Sequence, residues 1–173
     1  MITLHRYSPT PAPGDLTRAD LAVIWGLMLD ESLVETFFHD GTVRGLAGFM
    51  EYATSPGLWF HAARRGGEFL GFGVINNFMN NGNTAFAHLC SFACGRDGSF
   101  AEAGRLWFRL LRDSGGIDTL IAVLPGCYRG ARRFTEAAGF QFRMTLPGAV
   151  RLVRSKGDRV TDACVYQLNT REV

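Results

Sequence analysis

The stretch from Phe92 to Gly104, "FACGRDGSFAEAG", reads as the end of a strand passing through a glycine turn into a helix. A helix start presents unpaired N–H groups and a partial positive charge, so such a turn can hold a phosphate wherever backbone can approach it. Gly95 and Gly98 permit that approach, and Arg96 supplies a cation. Asp97 and Glu102 work the other way, since they put carboxylates where phosphate oxygens would lie. Ser99 and Glu102 also spell an S-x-x-E capping box, which would consume the same N–H groups. The stretch is therefore readable as a phosphate cradle or as an ordinary capped helix start.

Other reactive groups are few and dispersed. His88, beside Leu89 and near Phe86 on a strand-like run, has the residue type whose titration near neutrality suits a general base, and equally suits a hydrogen-bonded core position. His5, His39 and His61 show no metal-ligand spacing. Cys90, Cys94, Cys127 and Cys164 form no CxxC pair, and reduced, mostly buried thiols are expected. The cluster Asn76, Asn77, Asn80 and Asn81 reads first as turn chemistry.

The 173 residues are 47% hydrophobic and 20% charged, which fits one domain with a substantial core. Fourteen Phe and three Trp argue against disorder, and no apolar run approaches the roughly 20 residues of a membrane-spanning helix. The opening "MITLHRYSPTPAPGDL" lacks the pattern of a secretory signal, so a cytoplasmic protein is expected. A net charge of +2 conceals an asymmetry. Between residues 126 and 159 there are eight basic side chains (Arg129, Arg132, Arg133, Arg143, Arg151, Arg154, Lys156, Arg159) against Glu136 and Asp158, a local charge of +6. This suits an anionic partner or a solvated basic face.

These groups must be positioned by elements that periodicity reveals. "ITLHRY" alternates as a strand, and Leu21, Ile24, Trp25, Met28 and Leu29 form a helical stripe with Thr17 as N-cap. A second helix carries Leu46, Phe49, Met50 and Ala53 and stops at "SPG". Three strands broken by "RRGGE" and "NNGN" predict an antiparallel meander. A third helix, 100–113, turns Ala103, Leu106, Trp107, Leu110 and Leu111 inward. Then follow an apolar strand "IDTLIAVL", a helix from about Cys127 to Ala138 closed by Gly139 at a left-handed cap, and two strands around "SKGD". The order is β-α-α-β-β-β-α-β-α-β-β, without internal repeats.

That order, with "RRFTEAAGFQF" at 132–142 and above all Ala131, Phe134, Gly139 and Phe140, resembles the GNAT acyltransferase superfamily, including its small phage-type members. The resemblance implies an α/β (α+β) fold with a mixed, mostly antiparallel sheet. It also implies that acetyl-coenzyme A, as acyl donor, lies between the fourth and fifth strands (84–94 and 117–124), with residues 92–104 as the pyrophosphate loop. The cofactor set it points to is Phe92, Ala93, Cys94, Arg96, Gly98, Ser99, Arg129 and Arg132, with backbone N–H groups near Phe92 to Cys94 polarising the thioester. Counting back from Gly139-Phe140, the family's helix Asn falls on Tyr128 and its acid Tyr on Thr135. A Thr hydroxyl is too weak an acid to replace a phenol of pKa about 10, so Tyr128, or else Cys127, is left as proton donor and His88 as base.

Two functions compete on these grounds. One is an N-acetyltransferase acting on a small-molecule or protein amine. The other is a non-catalytic GNAT-like accessory or assembly protein whose basic final third meets a macromolecule. A nucleic-acid binder is less favoured, because the seventeen Arg occur without a recognised nucleic-acid motif. The apolar last hairpin suggests an exposed edge and a homodimer through it.

Overall fold

The computed structural model describes residues 1–173. Seven strands form one sheet: β1 (Ile2–Arg6), β2 (Trp59–Arg65), β3 (Glu68–Met79), β4 (Thr84–Ser91), β5 (Thr119–Pro125), β6 (Gln141–Leu152) and β7 (Arg159–Asn169). Their spatial order is β1-β2-β3-β4-β5-β7-β6. Every pairing is antiparallel except β4 with β5, which is parallel and joined by a crossover through α4 (Ser99–Gly115). The mixed α/β architecture expected from the element order is therefore present. One helix was missed: besides α1 (Arg18–Asp30) and α3 (Leu46–Ala53), a single turn, α2 (Val34–Phe37), precedes β2. Its four residues are too few for any periodic signal.

The helices α1 and α3 cover one face of β2, β3 and β4. Leu21, Ile24, Trp25 and Met28 from α1 and Phe49 from α3 pack on Phe60, Phe72, Val74 and Phe92, with the Phe60 and Phe72 rings stacked at 5.0 Å. Each fully buried side chain of this size contributes about 1.5–3 kcal/mol. Thr17 caps α1 as expected, in a reciprocal pairing with Asp20. Leu29 and Leu46, predicted on the inward stripes, are exposed, because the helices present narrower apolar faces than a full stripe. The opposite face of the sheet is covered by α4 and by α5 (Arg129–Ala137), through Trp107, Phe108, Leu111 and Phe140. Leu106 and Leu110 lie outside that contact, contrary to expectation, and Phe108 takes the inward position instead. Gly139, at φ +104°, ends α5 in the left-handed region as predicted.

Two of the four thiols, Cys90 and Cys164, are buried, whereas Cys94 and Cys127 are exposed, fewer buried than expected. Asn77, Asn80 and Asn81 adopt positive φ, which accounts for the Asn cluster as turn chemistry. No helix is long and apolar enough to cross a membrane.

Candidate active site

The sheet opens between β4 and β5. Their pairing is limited to Thr84–Thr119, Ala85–Leu120 and Phe86–Ile121, after which β4 follows only β3 and β5 only β7. The ladder alternation decides which groups face the gap. Phe92 N donates to Leu70 O, so the even-numbered amides of β4 point to β3 and those of Leu89 and Ser91 point into the split. Gly126 N donates to Asp162 O, which by the same count turns Val123 and Pro125 towards the split from the other side. Pro125 has no N–H to leave orphaned there. The result is a wedge with backbone donors and acceptors on both walls, floored on the α4 side by Leu89 and by Phe100 stacked on Phe134 at 5.4 Å.

This relocates the released amides. Phe92, expected among them, spends its N–H in the sheet and buries its ring under α1 and α3. The amide of Ala93 lies 2.9 Å from both carboxylate oxygens of Glu31, the residue that ends α1. Cys94 donates its thiol to Phe69 O. The free strand amides thus sit slightly earlier, at Leu89 and Ser91.

The phosphate-loop candidate is folded on itself. After a 3₁₀ turn over Ala93–Gly95, Gly98 at φ +101° is the N-cap of α4 and has no side chain with which to cap it. The expected Ser99–Glu102 capping box is therefore absent: Ser99 is already helical, and its Oγ is buried without a partner. Asp97 does the capping work instead, accepting from Ser99 N at 2.9 Å and from Arg65 at 3.1 Å. Arg96 pairs with Glu31 at 2.7 Å. Two carboxylates of the chain itself thus occupy the amide of Ala93, the amide of Ser99 and the cation beside them, while the N–H groups of Phe100 and Ala101 keep no partner. Arg129 is exposed, and Arg132 donates to the Tyr166 hydroxyl at 3.0 Å, on the side of the sheet that α5 covers.

On the other face of the split each acid–base candidate lies near the α2 segment, Tyr128 beside His39 and His88 beside Phe37. Tyr128 is the N-cap of α5, at the mouth of β5, and its phenolic oxygen accepts from Arg154. Arg154 also donates to Glu35 O at 2.5 Å and lies 3.7 Å from the Glu35 carboxylate. The turn between β6 and β7 is tied to the segment after α2 by Val153 N donating to His39 O at 2.6 Å. The His39 ring stands 6.4 Å from Tyr128, and Phe37 stands 6.4 Å from His88.

His88 Nε2 lies 3.3 Å from Asn76 Oδ1, an oxygen that only accepts, so Nε2 carries the proton and Nδ1 is bare. Burial first, then the neighbouring His39, pushes the His88 pKa down to about 4, so its imidazole is neutral across the physiological range. Burial likewise lowers that of His39. Thr135, where the resemblance would place an acid Tyr, is buried in α5.

No family model matches the sequence, and no curated protein matches it either. Solved structures do match the fold. A RimL ribosomal L7/L12 α-N-protein acetyltransferase in complex with coenzyme A superimposes with TM-score 0.77 at 10% identity, over 97% of this chain and 93% of that one. The fold is that of the GNAT acyltransferases. A spermidine N-acetyltransferase from Vibrio cholerae, in complex with CoA and spermine, gives 0.75 at 11% identity over 98% and 96% of the two chains. The microcin C7 self-immunity acetyltransferase MccE, with acetyl-CoA and AMP, gives 0.71 at 12% over 88% of each. The GNAT fold thus extends over nearly the whole chain, while at 10–12% identity the residues that do chemistry must be read from this chain alone.

Proposed function

We propose that the protein is an N-acyltransferase that takes an acetyl group from acetyl-coenzyme A and passes it to an amine. The observation that carries this reading is the split of β4 from β5 after Phe86 and Ile121, with the amides of Leu89 and Ser91 unpaired along it. Such an edge matches an extended amide-bearing arm and a polarised carbonyl, which unpaired N–H groups stabilise as negative charge develops on oxygen. The matched structures in complex with CoA or acetyl-CoA support this donor.

In this reading His88 is the base and Tyr128 the acid. The amine nitrogen attacks the thioester carbonyl carbon, its proton passes to His88 Nδ1, and the C–S bond breaks as Tyr128 gives its proton to the departing sulfur. Arg154, donating to the Tyr128 oxygen, stabilises the phenolate left behind. Phosphates of the donor take the first turn of α4, displacing Asp97 from Ser99 N and freeing Arg96 from Glu31.

One observation favours a second reading, a catalytically silent GNAT-fold protein that binds a macromolecule through its basic final third: three of the loop's donors, Ala93 N, Ser99 N and Arg96, are already engaged by Glu31 and Asp97. Calorimetric titration with acetyl-CoA, with Tyr128→Phe assayed alongside for thioester cleavage, separates the two. Binding together with loss of turnover in the variant supports the enzyme. Absence of binding up to millimolar donor supports the silent protein.

A further inference from the structure

The helices α1 and α3 stop at β4; on their side of the sheet Val150, Leu152 and Ala163 are buried near the α2 segment, whereas the part of β6 at Met144 and Leu146 is open. Register shows which residues share that face. Ile121 lies opposite Gln167, Val123 opposite Val165, Met144 opposite Val165, and Leu146 opposite Ala163. Val123, Ala163, Val150 and Leu152 pack with Tyr128, so the face is continuous with the proposed acid. Met144 and Leu146 are 51% and 42% exposed. Here is an apolar wall leading directly to the point where an amine must enter.

Two arginines without an ion pair flank this wall, Arg143 in a cleft it shares with Glu172, which accepts from Asn169. At one end Arg143 donates its Nε to the Gln167 side chain and meets no carboxylate. At the other end Arg159 lies opposite Leu152 on the same face and is unpaired. The nearby carboxylates are engaged elsewhere: Glu35 with Arg154, Asp158 with Arg151, and Asp162 on the Gly148 amide, one register position away from this face. Eight residues of β7 separate Arg159 from Gln167, roughly 27 Å at strand rise. An extended segment of about eight residues spans that distance.

The edge of β6 is unsuited to a second copy adding as a strand. Its ladder is broken between Phe142 and Met144 and again between Leu146 and Val150, and Pro147 lies in the second break. Proline and bulges are the devices by which edge strands resist pairing.

We propose, resting on the acyltransferase reading, that the acceptor amine belongs to an acidic polypeptide segment. Its apolar side chains lie on Val123, Val165, Met144 and Leu146, and its carboxylates meet Arg143 and Arg159. A polyamine, cationic along its length, would face like charge at both ends of the wall.

The test uses a ten-residue probe peptide of alternating leucine and glutamate, with a free α-amine and a fluorophore at its C-terminus. Its anisotropy on titration with the full-length protein is compared with a lysine-for-glutamate counterpart, and acetyl transfer to the probe is compared with transfer to spermidine. The acidic probe is expected to bind at least tenfold more tightly than its lysine counterpart, with Arg143→Glu and Met144→Asp each weakening it about tenfold. Both variants should leave acetyl-CoA affinity, measured calorimetrically, unchanged. Equal binding of the two peptides, or preferential acetylation of spermidine, overturns the proposal. So does a dimer seen by sedimentation that Met144→Asp dissociates, which would give the face to a second copy. Failure of acetyl-CoA to bind, with selective peptide binding intact, upholds this face and removes the acyltransferase reading instead.

Discussion

The two sides of the β4–β5 split are built on opposite terms. At the phosphate-loop end, Ala93 N, Ser99 N and Arg96 are engaged by Glu31 and Asp97, and only the Phe100 and Ala101 amides are left, so an anion that uses the whole loop must displace carboxylates already in place. At the other end, the Tyr128 hydroxyl accepts from Arg154 and His88 Nε2 faces Asn76 with Nδ1 bare, the arrangement the proposed acid and base require. One strand, β4, leads into the first end and carries His88 of the second. On the proposed mechanism, the difference means that the acid and base need no rearrangement, whereas donor binding is opposed by the chain's own carboxylates.

That contrast is broken most sharply at Tyr128. Tyr128→Phe removes the proton donor and keeps the ring, so kcat should fall about 10²-fold or more while acetyl-CoA affinity holds. An unchanged kcat in steady-state assays would take the acid away from Tyr128. Next in size, Glu31→Gln should tighten acetyl-CoA about tenfold, since it frees Arg96 and weakens the hold on Ala93 N, with kcat little changed. Calorimetry on the variant checks the direction; weaker binding would mean that Glu31 organises the loop rather than blocking it. Asp97→Asn should act the same way by severalfold, being exposed and screened by solvent.

The smallest effects concern pH. With the folded His88 near 4 and the unfolded value near 6.5, the base stays neutral and the acid limb of kcat/KM, corrected for ionisation of the amine, should lie well below 6.5. The same depression means the unfolded chain binds the extra proton first. Its contribution to stability is therefore complete above pH 6.5 and is lost as pH falls towards 4. Denaturant titrations of His88→Gln should show a shallower loss of stability across that window than the parent protein.

Much of the fold was legible because it is local. The stripe Leu21, Ile24, Trp25 and Met28, the turns "RRGGE" and "NNGN", and Gly139 after α5 each announce their geometry within a few residues. The inward positions of Leu29, Leu106 and Leu110 were misread because a helical stripe says which face is apolar but not how wide a surface will cover it. The site was legible only in part. Tyr128 and His88 could be put forward as candidates from residue type and order, but the contacts around them join distant segments. Glu31 reaches Ala93 across 62 positions, and Arg154 reaches Glu35 across 119. The Ser99 capping box failed for a nearer reason: the left-handed Gly98 starts the helix one residue early, and Asp97 reaches the first amide before Ser99 can.

The most direct test of the acyltransferase account is a calorimetric titration of the protein with acetyl-CoA, run in parallel on Glu31→Gln. Micromolar binding by the parent chain, tightened in the variant, is the predicted result. No heat in either protein up to millimolar donor would contradict it, and would leave the split between β4 and β5 as a feature of the fold without its chemistry.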